Sequence, residues 1–230
     1  FVDHFLINYL GRRVPRNVKE WLDTDFQKLA FEMSQEPRVL CHRDFHSRNL
    51  MVYKNRLYVI DLQDARMGPD TYDLASLLRD SYLELPTTEI DQLLSTYSQV
   101  MNISDTSAFR DRFIRTSLQT NVKDLGTCGY QISERGKTRY LKAIPLTLKY
   151  LHKTLATTPR YQRLQETLSE VYEGEWPGHE QLYVQGQNSE MLWADLAHKL
   201  SDQVLIPLNT YQGQFPEMRV SILVAMWDEK

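Results

Sequence analysis

Apolar residues recur at helical spacing along most of the chain, and one β-rich stretch interrupts this pattern near residue 50. The spacing predicts a helix over 1–10 that ends at Gly11. It predicts a second helix that Asn17 caps and that ends before Pro37. Further amphipathic helices are predicted over 88–100, 105–125, 138–155 and 161–172. We expect Pro145 to kink the helix over 138–155, because proline lacks a backbone donor.

The β-rich stretch lies within residues 39–74. Short apolar or alternating runs at 39–41, 50–53 and 57–60 predict three strands, and the polar turn 54–56 joins the last two into a hairpin that ends at Asp61. A helix is predicted to open at 70–73 and to run to about residue 83. If the hairpin pairs back over the loop 42–49, Asp61 comes close to Asn49 and Asp44.

These three residues carry the chemistry that phosphoryl transfer from ATP requires. The loop reads H-R-D-x-x-x-x-N, the spacing of a kinase catalytic loop. A carboxylate must accept the proton of the attacking hydroxyl, and hard oxygen ligands must hold Mg²⁺ against the triphosphate. The sequence therefore predicts Asp44 as the catalytic base, with Asn49 and Asp61 as ligands of Mg²⁺.

The residues after the loop narrow the family. The segment 60–65 reads IDLQDA and the segment 68–74 reads GPDTYDL, and the chain has neither an Asp-Phe-Gly nor an Ala-Pro-Glu motif of protein kinases. Joined to HRDFHSRNLM, these motifs resemble the aminoglycoside phosphotransferase and choline kinase-like family. Within that family they are most similar to bacterial anomeric kinases of N-acetylmuramate and N-acetylglucosamine. The resemblance covers roughly residues 1–170.

The resemblance implies a fold and a domain organisation. It implies an α+β fold that is mainly α, namely the C-terminal lobe of a kinase-like protein over residues 1–173 with a small catalytic hairpin. No Gly-rich loop or lysine-bearing strand occurs in the chain, so we expect the N-terminal β-lobe to be missing. Residues 174–230 are interpreted as an extension of unknown role, with a boundary at 176–178, a helix over 188–200 and strands at 204–206 and 220–226.

Further residues of this stretch are candidates for the site. His42 is expected to brace the loop, and the resemblance implies the same supporting role for Asp73. Arg48, Asp64 and His46 are candidates for contact with the substrate or a phosphate.

Composition narrows the classes of ligand, the roles of the cysteines and the location that we expect. The 230 residues are 42% hydrophobic with a net charge of −3 and no dense basic run, which argues against a nucleic-acid partner and fits nucleotide and small-molecule ligands. Cys41 and Cys128 lie far apart without a metal-ligand pattern, so neither a disulfide nor a zinc site is expected. No membrane-spanning run or signal peptide occurs, and the expected location is cytoplasmic. Oligomeric state stays open.

Three functions remain in competition. The first is an ATP-dependent kinase of an amino sugar. The second keeps the chemistry but takes an aminoglycoside, choline or another amino alcohol as acceptor; the basic residues grouped near 123–142 favour an anionic acceptor instead. The third is a kinase-like module without its nucleotide lid that binds a ligand and does not turn it over.

Overall fold

A computed structural model describes residues 1–54 and 56–172. These residues are mostly helical. The six α-helices among them are α1 (Arg16–Ser34), α2 (Tyr72–Leu78), α3 (Thr87–Val100), α4 (Thr106–Ser133), α5 (Ile144–Thr157) and α6 (Gln162–Val171). The strands are β1 (Arg38–Cys41), β2 (Leu50–Tyr53), β3 (Arg56–Val59) and β4 (Arg66–Pro69). A π-helical segment covers Val2–Tyr9, and 3₁₀ turns cover Ser47–Asn49, Leu62–Asp64, Thr138–Ala143 and Pro159–Tyr161.

The described residues divide into two compact units. One contains Phe1–Ser34 and residues 117–172, and the other contains Gln35–Thr116. The boundary between the units falls inside helix α4. The first eleven residues of α4 belong to the second unit and the rest to the first. None of the described helices is both long and apolar enough to cross a bilayer.

The unit that contains Gln35–Thr116 has two antiparallel two-stranded sheets. Strand β1 pairs with β4, and β2 pairs with β3 in the register Leu50↔Val59 to Tyr53↔Arg56. Its core is formed mainly by α2, α3 and the start of α4, and it includes Phe45 of the loop after β1, which is fully buried. On α3 the buried residues recur three or four apart, which gives that helix one apolar face. The other buried members of this core are Leu57, Leu74, Ala75, Leu77, Leu78, Leu85, Ile90, Leu93, Leu94, Tyr97, Phe109 and Phe113.

Most of the predicted elements are confirmed. Strand β1, the hairpin and a helix near each predicted position are present, and α4 ends eight residues later than predicted. The predicted extent of the helix after residue 70 is wrong, because α2 ends at Leu78. Strand β4 was not predicted; its residues became a strand only by pairing with β1. The predictions for 176–178, 188–200, 204–206 and 220–226 lie outside the described residues.

Two predicted roles at helix ends are wrong. Asn17 lies inside α1, which begins one residue earlier at Arg16. Pro145 does not kink a helix, because residues 138–143 form a separate 3₁₀ turn and α5 begins at Ile144. At the start of a helix the missing N–H of proline has no intrahelical partner to lose, so Pro145 is well placed there.

Close packing within the first unit depends on glycines of α4. A Cβ on Gly129 would lie 2.4 Å from the carbonyl oxygen of His4 and 2.8 Å from the Cα of Phe5. Both contacts are to backbone, which cannot move aside as the end of a flexible side chain can. The π-helical segment can therefore approach α4 only because residue 129 has no side chain.

We expect Gly129→Ala to lower the free energy of unfolding by about 1–3 kcal/mol, the usual cost of overpacking a tight contact. Chemical denaturation followed by circular dichroism measures the change. The control is Thr127→Ala, an exposed site two residues away in the same helix, which should change stability by less than about 0.5 kcal/mol. Equal effects of the two substitutions would contradict this account of the packing.

Candidate active site

A buried carboxylate fixes the start of the loop that follows β1. Asp73, 3% exposed, lies in the first turn of α2. Its Oδ2 accepts a hydrogen bond from the backbone N–H of His42 at 2.8 Å, and its Oδ1 accepts one from the N–H of Arg43 at 2.9 Å. Arg43 has a left-handed backbone with φ 77°, a conformation that costs a non-glycine residue about 1–3 kcal/mol. The two hydrogen bonds offset that cost.

The imidazole of His42 joins the loop to the end of the hairpin. The ring is buried, its Nε2 lies 2.8 Å from the carbonyl oxygen of Ile60, and its Nδ1 lies 3.3 Å from the backbone nitrogen of Asp44. A backbone N–H can only donate and a carbonyl oxygen can only accept. These partners therefore assign the proton to Nε2 and make Nδ1 the acceptor.

Asn49 makes the second link between loop and hairpin. Its side-chain nitrogen donates to the backbone carbonyl oxygen of Asp44 at 2.8 Å. Its backbone carbonyl oxygen accepts from the N–H of Ile60 at 3.0 Å. Asp61 follows directly, with a left-handed backbone at φ 72° and ψ 45°. The backbone network thus gathers Asp44, Asn49 and the residue before Asp61 at one end of the hairpin.

Among the described residues, this network leaves the carboxylates of Asp44 and Asp61 and the side-chain oxygen of Asn49 without hydrogen bonds. Across the described residues, neither the carboxylate of Asp44 nor that of Asp61 has a hydrogen bond or ion pair to the protein. The side-chain nitrogen of Asn49 is occupied, which leaves its side-chain oxygen for a ligand. Asp61 is exposed and Asp44 is half-buried. Two carboxylates and one amide oxygen are therefore available around the loop and the end of the hairpin.

This donor set fits Mg²⁺. No group of three or more His, Cys, Asp or Glu side chains gathers anywhere in the described ranges. Magnesium bound together with a nucleotide does not need such a group, because it takes one or two protein oxygens and completes its shell with phosphates and water. Asn49 and Asp61 are the residues that would hold it.

The remaining candidates lie differently. Arg48 is exposed, and His46 packs its ring against Tyr82. Asp64 is exposed at the end of a 3₁₀ turn and makes no hydrogen bond or ion pair with the other candidates. Asp80 and Tyr82, which contact the loop from beyond α2, were not predicted as site residues. The signal in the sequence was the position of Asp80 at the end of the run SLLRD over residues 76–80, shortly after GPDTYDL.

Cys41 and Gly68 illustrate how tightly the strands behind the loop pack. A Cβ on Gly68 would lie 2.9 Å from Sγ of Cys41, so this position of β4 has no room for a side chain. Both cysteines of the chain are free and buried, as expected. Burial raises the pKa of the Cys41 thiol to about 12, with a smaller contribution from Asp73. Cys41 therefore stays a neutral thiol and is excluded as a nucleophile.

The loop anchor gives a prediction for Asp73→Asn. This substitution keeps the size of the side chain but turns an amide NH₂ toward a backbone N–H, which leaves a buried donor without an acceptor. We expect a loss of about 2 kcal/mol in the free energy of unfolding, together with faster hydrogen exchange at the amides of His42 and Arg43. Denaturation and NMR-detected exchange measure the two effects.

The matched control is Asp111→Asn, which removes the same charge from an exposed position on α4. It should leave both quantities unchanged. If the amides of His42 and Arg43 exchange hydrogen in Asp73→Asn at the wild-type rate, Asp73 does not anchor the loop.

The chain matches known proteins in two ways. Residues 3–110 match the model of the phosphotransferase enzyme family. A protein named N-acetylmuramate/N-acetylglucosamine kinase from Pseudomonas aeruginosa is 30% identical over 181 residues, covering 76% of this chain and 53% of that protein. Its namesake from Pseudomonas putida is 32% identical over 182 residues, covering 72% and 52%. The chain thus spans about half the length of the curated kinases it matches.

A second similarity is of another kind. Amphiphysin from Gallus gallus is 43% identical over 61 residues, which are 26% of this chain and 9% of that protein. The kinase similarity is the longer of the two, and the family match spans every residue of the candidate site. Over residues 3–110, the chain is similar to the phosphotransferase enzyme family.

Proposed function

We propose that this chain carries the phosphoryl-transfer site of an ATP-dependent small-molecule kinase whose acceptor is the anomeric hydroxyl of a cell-wall amino sugar. The observation that supports the reaction is the backbone network joining Asp44, Asn49 and Ile60, because it leaves a base and two oxygen ligands free together. The acceptor is proposed from the names of the related kinases, N-acetylmuramate/N-acetylglucosamine kinase.

Asp44 has the position and freedom of a general base. As the acceptor hydroxyl attacks the γ-phosphorus of ATP, its proton passes to the Asp44 carboxylate, a new P–O bond forms, and the bond to the bridging oxygen breaks to release ADP. His42 and Asn49 hold the backbone of Asp44 in place from both sides. Mg²⁺ bound by Asn49 and Asp61 would supply charge neutralisation for the phosphates.

Phosphoryl transfer depends on positioning and electrostatics more than on covalent chemistry by the protein. A site of this kind therefore needs a rigid loop, even where rigidity requires a strained backbone conformation. Arg43 and Asp61 are both left-handed non-glycine residues at the two ends of the network. Such strain persists only where the surroundings fix it, and it concentrates at functional sites.

Residues 174–230 are assigned to no step of this reaction. The kinase relatives align with about three quarters of the chain and the amphiphysin similarity with about one quarter. The family match ends at residue 110, well before this segment. A chain that ends at Tyr172 tests the assignment in the binding experiment below.

We expect Asp44→Asn to lower turnover by about 100-fold to 10,000-fold, the usual contribution of a positioned base. Loss of the base removes the proton acceptor, while ATP affinity should change little because Asp44 is not proposed as a metal ligand. Steady-state kinetics with Mg-ATP and N-acetylmuramate or N-acetylglucosamine measure the change. Asp111→Asn is the matched control with wild-type rates expected.

The acceptor comparison separates the alternatives. Turnover with a polyamine acceptor but neither amino sugar would favour an aminoglycoside or choline-type kinase. Binding of Mg-ATP without turnover of any acceptor would favour a non-catalytic binding module. Wild-type turnover by Asp44→Asn would contradict the role of Asp44.

Nucleotide binding is testable separately from catalysis. A ligand at a hundredfold excess over its dissociation constant stabilises the folded state by about 2.7 kcal/mol. We therefore expect Mg-ATP to raise the unfolding temperature of the chain. The increase should require magnesium and disappear in Asp61→Ala, because that variant lacks one proposed metal ligand.

The chain ending at Tyr172 should show the same increase as the full chain. Asp111→Ala, which removes an exposed carboxylate of α4 outside the proposed site, is the control. A magnesium-independent increase, or one that survives in Asp61→Ala, would contradict the proposed metal ligands.

A further inference from the structure

The catalytic loop presents a cation whose orientation is fixed by an aromatic ring. Arg48 is exposed, and its guanidinium carbon lies 3.4 Å from the centroid of the Tyr82 ring. His46 approaches the same ring edge-on, with ring centroids 5.9 Å apart. A guanidinium stacked on a ring keeps its N–H donors directed outward in its own plane. The stack therefore orients Arg48 without occupying its donors.

A buried carboxylate holds both partners of this stack. Asp80 is 2% exposed. Its Oδ2 accepts from the backbone N–H of Ser47 at 2.8 Å, and its Oδ1 accepts from the N–H of Tyr82 at 2.8 Å. Ser47 precedes Arg48, so one side chain locates the backbone on both sides of the contact. The geometry of the stack is therefore set by a buried group and does not depend on two exposed side chains alone.

Arg48 also differs in charge pairing from two arginines of the same unit. Arg112 pairs with Asp70 at 2.8 Å and Arg115 pairs with Glu36 at 2.7 Å. For Arg48 no carboxylate partner occurs among the described residues. Arg48 precedes Asn49 in the chain, and the side-chain oxygen of Asn49 is free for a ligand among the described residues. An oriented and uncompensated guanidinium at this place has the donor geometry that matches a carboxylate or phosphate.

We infer that Arg48, stacked on Tyr82 and located by Asp80, binds an anionic oxygen group of a ligand at the catalytic loop. Its identification as a substrate group rests on the proposed function. Two sources offer this chemistry: the carboxylate of an acceptor such as N-acetylmuramate, and a phosphate of the nucleotide. N-acetylglucosamine has no carboxylate, so the pair of sugars distinguishes the sources.

The first experiment detects the anion site without any substrate. Inorganic phosphate and acetate are titrated into the full chain, and the arginine Nε–H resonances are followed by NMR, with the Arg48 signal identified by its loss in Arg48→Gln. We expect a saturable shift of the Arg48 resonance. Arg56, an exposed arginine on β3, should not shift. The absence of a saturable Arg48 shift with either anion overturns the inference, whatever the kinase assays show.

The second experiment identifies the source. Dissociation constants for N-acetylmuramate, N-acetylglucosamine and Mg-ATP are measured by calorimetry for the wild type, Arg48→Gln and the control Arg56→Gln. Loss of hydrogen bonds to a charged group predicts a loss of about 10-fold to 100-fold in affinity for the ligand that Arg48 contacts. Weaker binding of N-acetylmuramate alone identifies the acceptor carboxylate. Weaker binding of Mg-ATP alone identifies a phosphate.

The role of the ring is tested by a pair of substitutions. Tyr82→Leu removes the stacking surface and should weaken the same ligand as Arg48→Gln, whereas Tyr82→Phe keeps the ring and should bind like the wild type. Wild-type affinities in both Arg48→Gln and Tyr82→Leu would overturn the inference while leaving the kinase proposal intact. A saturable Arg48 shift in a chain that binds neither sugar nor nucleotide would instead support the anion site and contradict the proposed function.

Discussion

The hydrogen bonds from His42 and Arg43 to the carboxylate of Asp73 are the constraint on which the rest of this site depends. They attach the loop to the first turn of α2, and that helix is buried along its entire length. A buried backbone N–H without a partner would cost about as much as the hydrogen bond gains. The loop therefore has one favourable path out of β1, with Arg43 left-handed and Phe45 in the core.

Two further side chains hold the anchored loop against the hairpin. The buried ring of His42 reaches Ile60, and the amide of Asn49 reaches back to Asp44, so the loop and the hairpin hold each other. The supporting side chains of His42 and Asp73 are buried, whereas the carboxylates of Asp44 and Asp61 remain without protein partners among the described residues. Asn49 takes part in both ways, since its side-chain nitrogen supports Asp44 and its side-chain oxygen has no protein partner among those residues.

Asp80 anchors the far end of the loop in the same way as Asp73 anchors its start. Like Asp73, it is a buried carboxylate that accepts hydrogen bonds from backbone N–H groups, and it acts on Ser47 and Tyr82. Two aspartates seven residues apart, one in α2 and one just beyond it, therefore hold the two ends of the loop. A rigid loop of this kind loses little entropy when a ligand binds, which is the general advantage of a preorganised site.

The sequence by itself determined the elements whose signals are local. The hairpin, β1 and most helices follow from apolar spacing. The grouping of Asp44, Asn49 and Asp61 follows from a motif contained in residues 42–61. The tertiary structure alone decided β4, which is a strand because it pairs with β1, and the start of α5 at Ile144. It alone revealed the partners of Asp80 and the stack of Arg48 on Tyr82. The contacts of Asp80 with Ser47 and of Arg48 with Tyr82 join residues more than thirty positions apart. No local pattern encodes such a distance, and only packing of the chain against itself brings these residues together.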